Sequence, residues 1–173
     1  MIELKNFTYK TNKILFDGAS FKAPSTGMIG IAGESGCGKT TFLKIISKQI
    51  HLDSMVNDAV SMFYGNQDAL LKKDLTIAQQ FELIESIYNR EHDQNTIDVL
   101  FNNLNIKANL SQKYDSCSLG EKKRIMIALS VYSNSPCIIL DEPLSSVDYE
   151  DKHSIMKLLK EYSHDRVIIL TIH

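Results

Sequence analysis

Residues 33–40 read GESGCGKT, and this string constrains the fold more than any other stretch of the 173-residue chain. It fits the pattern G-x-x-x-x-G-K-[ST], which works as a tight connection from a strand into a helix. Glycines let backbone N–H groups turn inward there, and the helix N-terminus adds the positive end of its dipole. The flanks agree: Met28-Ile29-Gly30-Ile31-Ala32 is an apolar run of strand type, and Thr41-Phe42-Leu43-Lys44-Ile45-Ile46 has helical spacing. Such a loop cradles phosphate. Gly33, Glu34, Ser35, Gly36, Cys37, Gly38, Lys39, Thr40 and Thr41 are the expected contacts. Lys39 would reach the terminal phosphates as a charged donor, and the Thr40 hydroxyl would ligate Mg²⁺. Cys37 reads as a small loop residue, since a redox role requires a lowered thiol pKa.

A second string, CIILDEP at residues 137–143, ends a hydrophobic strand in two carboxylates. Open α/β sheets bind ligands at the C-terminal ends of their strands. Asp141 therefore suits a metal, directly or through water, and Glu142 suits a nucleophilic water as general base.

Hydrophobic periodicity arranges the rest around these strings. Short, turn-punctuated strands are expected at 2–4, 7–9, 14–16 and 19–21, with breaks at Thr11-Asn12 and Pro24-Ser25-Thr26-Gly27. From about residue 75 to 110 the pattern becomes helical, with Ile77, Phe81, Ile84 and Tyr88 on one stripe and Ile97, Leu100, Phe101 and Leu104 on another. A helical subdomain at about 75–117, inserted in an α/β core, accounts for this. After Ser118 a further helix carries Ile125, Ala128, Leu129 and Tyr132. A strand at Ile138-Ile139-Leu140, a helix from near Asp151 to Tyr162 and a strand at 167–172 follow. Strands alternating with helices imply a mostly parallel sheet, and one domain spanning 1–173.

Composition narrows the setting. A domain of this length buries roughly 70% of the surface its unfolded chain exposes, and it needs no cross-links. The three cysteines are odd in number, far apart and without CxxC spacing, so neither a disulfide framework nor a zinc site is indicated. The net charge of −2 gives no basic field for a nucleic-acid backbone. Apolar runs such as Val167-Ile168-Ile169-Leu170 fall far short of the ~20 residues that cross a bilayer, and Met1-Ile2-Glu3 does not open like a signal peptide. A reducing cytosol is the expected place, and if the chain works at a membrane another chain must provide the span.

Taken with CSLGE at residues 117–121 and Ser145-Ser146-Val147-Asp148, these strings resemble the ATP-binding cassette (ABC) ATPase family over nearly the whole chain. The resemblance implies a P-loop NTPase fold of ABC type: a mostly parallel core, a small antiparallel β-subdomain and the inserted helical subdomain. It also implies ATP and Mg²⁺. Ser118 and Gly120 would act across an ATP-dependent homodimer, or a heterodimer with a related cassette, and Asp148 would lie in the dimer-facing loop or cap the next helix. Gln67 resembles the family's metal-sensing and coupling glutamine, Tyr9 the aromatic that stacks on adenine, and His173 the switch histidine. Lys39, Glu142 and His173 would then be the catalytic set, with Thr40, Gln67 and Asp141 at the metal.

This chain departs from the family pattern in three places. Leu119 stands where the signature has its first glycine and Glu121 where it has glutamine, so Ser118-x-x-Glu121 also reads as a capping box. The segment between Lys48 and Gln67 is short, which implies a trimmed β-subdomain. The sequence reaches its last residue at His173, where relatives continue. The function implied is a subunit that hydrolyses ATP to drive a separate transmembrane transporter, of peptide, lipoprotein or bacteriocin export type. A cassette with little turnover, or a soluble cassette acting on the ribosome or DNA, is the alternative.

Overall fold

A computed structural model describes residues 2–52, 55–57, 61–65 and 71–172, the second of these by backbone alone. The glycine-rich string is flanked as its sequence requires, by strand β3 (Gly27–Ala32) and helix α1 (Lys39–Ile46). In front of it β1 (Ile2–Lys10) pairs antiparallel with both β2 (Ile14–Lys22) and β4 (Met55–Asn57), in the order β2-β1-β4. The second sheet is parallel throughout. Its order is β3-β7-β6-β5, with β5 at Met62–Gly65, β6 at Cys137–Leu140 and β7 at Val167–Ile172.

Strand β6 lies between β5 and β7, and all four of its residues are buried. A parallel strand covered on both faces reads as a continuous apolar run because neither face meets water. Alternate side chains serve two cores. Ile138, Leu140, Ile168 and Leu170 join the core built by the later helices, while Cys137, Ile139, Val167 and Ile169 join Leu43, Ile45 and Ile46 of α1 and Ile2, Leu4 and Phe7 of β1. The strand ends carrying Asp141 and the glycine loop are thereby fixed from both sides.

The four short strands expected at the start are two strands of nine residues each. The interruptions in pattern are irregularities in register, between Leu4 and Phe7 and again between Phe7 and Tyr9. Asn6 has φ of 46° and donates its N–H to Ser20 Oγ, and Gly18 has φ of 59° and donates to Thr8 Oγ1. A bulge absorbs one residue and lets pairing resume, so local turn chemistry at Asn6 and Gly18 does not end the strand.

The helical region contains α2 (Ile77–Tyr88) and α3 (Gln94–Asn103). Its two ends meet: Ile77 N–H donates to Gln112 O, Ala78 N–H to Leu110 O and Tyr114 N–H to Leu75 O. The expected stripes face inward, with Ile77, Phe81, Ile84, Ile97, Leu100 and Leu104 buried and Tyr88 and Phe101 packed beside them. Helix α4 (Leu119–Tyr132) runs beneath this region, and α5 (Tyr149–Tyr162) follows β6. Beyond the expected Ile125, Ala128, Leu129 and Tyr132, α4 also buries Met126, Ile127 and Val131, because it is enclosed by α2, α3, α5 and β5.

Candidate active site

The loop from β3 into α1 is shaped by its glycines. Gly38 is the residue before α1 and has φ of 106°, and a Cβ there would come within 3.3 Å of the Phe16 ring and 3.7 Å of Leu15. Only glycine combines that backbone with that neighbour. At Gly33 a Cβ would stand 2.8 Å from Cys37 Sγ, so the thiol occupies the space that the missing side chain leaves. No side chain caps α1, and its first N–H groups are left available for an anion.

Lys39 is 8% exposed, and its ammonium curls back over the loop, donating to Gly33 O at 2.6 Å and Glu34 O at 3.1 Å. Two main-chain carbonyls hold the charge over the loop between β3 and α1. A cavity of about 260 Å³ opens here, lined by Ser35, Gly36, Gly38, Lys39, Thr40 and Thr41 from the loop, Leu15 from β2 and Glu142 from the end of β6. Strings separated by about a hundred positions thus face one space.

Asp141 continues the parallel pairing, its N–H donating to Gly65 O at 3.0 Å. Its side chain is oriented by Thr171 of β7, whose hydroxyl donates to Asp141 Oδ1 at 3.0 Å and accepts the Glu142 N–H at 2.6 Å. Glu142 then turns with φ of 49°. Its carbonyl accepts from Ser145 N–H, Ser145 Oγ and Lys123 Nζ. Burial lowers the Lys123 pKa from the usual lysine range, while Glu142 and Asp141 act in the opposite direction.

Ser118 is the N-cap of α4, and the capping box read from the sequence is present. Ser118 N–H and Oγ both donate to Glu121 Oε2, at 3.0 and 2.8 Å, and Glu121 N–H donates back to Ser118 Oγ. Those bonds, from the backbone N–H first and the hydroxyl second, hold the Glu121 pKa below the ordinary glutamate value. Leu119 points outward at 49% exposure, and a Cβ on Gly120 would sit 3.5 Å from the Ser146 carbonyl. The start of α4 therefore abuts the 145–148 loop of its own chain. Asp148 is the N-cap residue of α5 by position, exposed and without a side-chain capping bond.

Tyr9 is half-buried on β1, paired in register with Phe16 and packed with the apolar cluster beneath the antiparallel sheet. The cavity is lined on that side by Leu15. Gln67 and His173 lie outside the described residues. Sequence reasoning missed Thr171, Lys123 and Leu15. Thr171 becomes visible once β6 and β7 are paired with Leu140 beside Leu170, since the next residue of each strand is then Asp141 and Thr171. A larger polar cleft, about 670 Å³, lies elsewhere, between the α2–α3 connection and the end of α4, and contains none of the motif residues.

A family model described as ABC transporter matches residues 16–145. The chain belongs to the ABC transporter family. It is an ABC ATPase: the cassette binds ATP, and hydrolysis is coupled to transport. Similar proteins include the cytochrome c biogenesis ATP-binding export protein CcmA of Reclinomonas americana, 30% identical over 95% of this chain and 80% of that protein. The CcmA of Vibrio cholerae serotype O1 is 25% identical over 100% of this chain and 91% of its own length. The zinc import ATP-binding protein ZnuC of Ehrlichia canis is 29% identical, covering 100% of this chain and 74% of that protein. Among solved structures, a dimeric ATP-binding cassette in a post-hydrolysis state with ADP and Pi matches with a TM-score of 0.82 at 22% identity, over 100% of this chain and 88% of that one. An ATP-binding subunit of an ABC transporter matches with the same TM-score at 20% identity, over 100% and 79%. The ABC fold is thereby shown, with its parallel core, antiparallel strands and helical segments.

Proposed function

We propose that this ABC ATPase is one half of an ATP-dependent dimer that energises a transmembrane subunit on another chain, working from the cytoplasmic face. The observation carrying the site assignment is Glu142 lining the same cavity as Lys39 and Thr40. Lys39 binds the terminal phosphates, Glu142 takes a proton from the attacking water, and Gln67 and His173 complete the set. Loop residues 33–41 enclose the phosphates, and Tyr9 flanks the base. Across the dimer Ser118, Gly120 and Asp148 meet the second nucleotide. Residues 1–173 then form one cassette, with 75–117 as its helical subdomain.

The donor set fits Mg²⁺. Thr40 offers a hydroxyl and Asp141 a carboxylate whose orientation Thr171 fixes, and Gln67 would add an amide oxygen. Mg²⁺ takes hard oxygen ligands, commonly one or two carboxylates plus substrate phosphates. When bound it would neutralise phosphate charge, while the chain's own residues position ATP and accept the proton.

No helix among the described residues is long and apolar enough to cross a membrane. We read the direction as export, of peptide, lipoprotein or bacteriocin cargo. The similarity to named export proteins supports export, whereas the similarity to a zinc import protein shows that cassette likeness alone is shared by both directions. Copurification from membranes tests the partner. Recovery of a multi-spanning protein in stoichiometric amount supports the reading, and recovery with ribosomes or DNA overturns it.

A further inference from the structure

We propose that Lys123 is a positioning residue for hydrolysis, tying the helix that starts at Ser118 to the main chain of Glu142 and to Ser145. The proposal rests on the reading of Glu142 as general base. Lys123 is 2% exposed in the first half of α4. Its ammonium donates to Glu142 O at 2.6 Å and to Ser145 Oγ at 2.5 Å. An apolar residue would pack in this place without the cost of enclosing an ammonium. The position of the charge, at the turn after Asp141–Glu142, gives it a use.

That turn contains two non-glycine residues with positive φ, Glu142 at 49° and Ser146 at 60°. Such conformations are sparsely populated and persist where neighbours hold them. Three donors converge on the Glu142 carbonyl: Ser145 N–H at 3.2 Å, Ser145 Oγ at 3.0 Å and Lys123 Nζ at 2.6 Å. Thr171 fixes the other side of the same residue through its N–H. Of these contacts, Lys123 supplies the one from α4. Lys123 lies five positions after Ser118 on the same helix, so the helix that Ser118 caps is bonded through Lys123 to the backbone of Glu142. In the proposed dimer, Ser118 meets one nucleotide and Glu142 acts on the other, and Lys123 connects the two sites within one chain.

The test compares Lys123→Met, which keeps a long apolar stem and removes the donors, with Lys123→Gln, which restores an N–H donor, and with Glu142→Gln. Purified protein is assayed for steady-state ATP hydrolysis and, separately, for equilibrium binding of a fluorescent ATP analogue. Misplacing a reacting group is costly, so Lys123→Met should lower kcat by about tenfold or more. KM and nucleotide affinity should stay within about twofold, because a positioning role leaves ground-state binding intact. Lys123→Gln should recover part of kcat. If Lys123→Met does not fold, Ser145→Ala replaces it, with kcat again expected to fall at unchanged KM. Wild-type kcat in Lys123→Met, or in Ser145→Ala in its place, beside an inactive Glu142→Gln overturns the role of Lys123 alone. Wild-type hydrolysis by Glu142→Gln overturns the base assignment and this proposal with it.

Discussion

Thr171 holds Asp141 from the neighbouring strand: its hydroxyl donates to Asp141 Oδ1 at 3.0 Å while accepting the Glu142 N–H at 2.6 Å. One buried hydroxyl thereby serves both acidic residues of the site. Thr171→Val keeps the shape and strands the two partners, and an unsatisfied buried group costs about 1–3 kcal/mol. Urea unfolding should show a loss in that range, and ATP hydrolysis should fall further than ATP binding. Thr171→Ser should restore both.

The capping box at Ser118 carries a pH signature. The Glu121 pKa is lowered by its bonds to Ser118, so the carboxylate contributes stability above its ordinary value of about 4.3, and that contribution is lost as pH falls through the lower folded value. Melting temperature recorded from pH 6 down to pH 3 should therefore drop more steeply in wild type than in Glu121→Gln. Glu121→Ala should destabilise by about 1 kcal/mol at neutral pH. Equal acid sensitivity in wild type and Glu121→Gln would remove the carboxylate from the account.

Tyr132 organises the far end of α4. It is fully buried, donates its hydroxyl to Glu85 Oε1 at 2.6 Å and accepts the Asp93 N–H at 3.0 Å, and the Arg90 guanidinium lies 4.2 Å from its ring centroid. Tyr132→Phe should lower unfolding free energy by about 1–3 kcal/mol through the stranded groups. Because these contacts lie at the end of α4 remote from Ser118, hydrolysis per folded molecule should be unchanged.

The sequence made some of this legible and not the rest, for physical reasons. The strand, glycine loop and helix at 27–46 could be read because the chemistry is local: glycine conformation and helix dipole need no distant partner. Strand β6 could be read because burial on both faces leaves an unbroken apolar run. The first two strands look like four in the sequence because bulge residues such as Asn6 and Gly18 carry the same local signals as turns. Periodicity shows only part of the buried set of α4, since a helix enclosed all round has no single apolar stripe. Thr171 and Lys123 were missed because what matters about them is their partners, 30 and 19 residues away in sequence. Pairing of β6 with β7, and of α4 with the turn after β6, had to be known first.

Glu142 lines the 260 Å³ cavity together with Lys39, and the proposed role of its carboxylate as general base is tested by removing that carboxylate and following binding and turnover separately. The direct measurement is ATP hydrolysis by Glu142→Gln together with its sedimentation in MgATP. Hydrolysis should fall by about a hundredfold or more, with ATP retained in a dimer more stable than that of wild type. A Glu142→Gln protein that hydrolyses at the wild-type rate, or that binds no ATP, would contradict it.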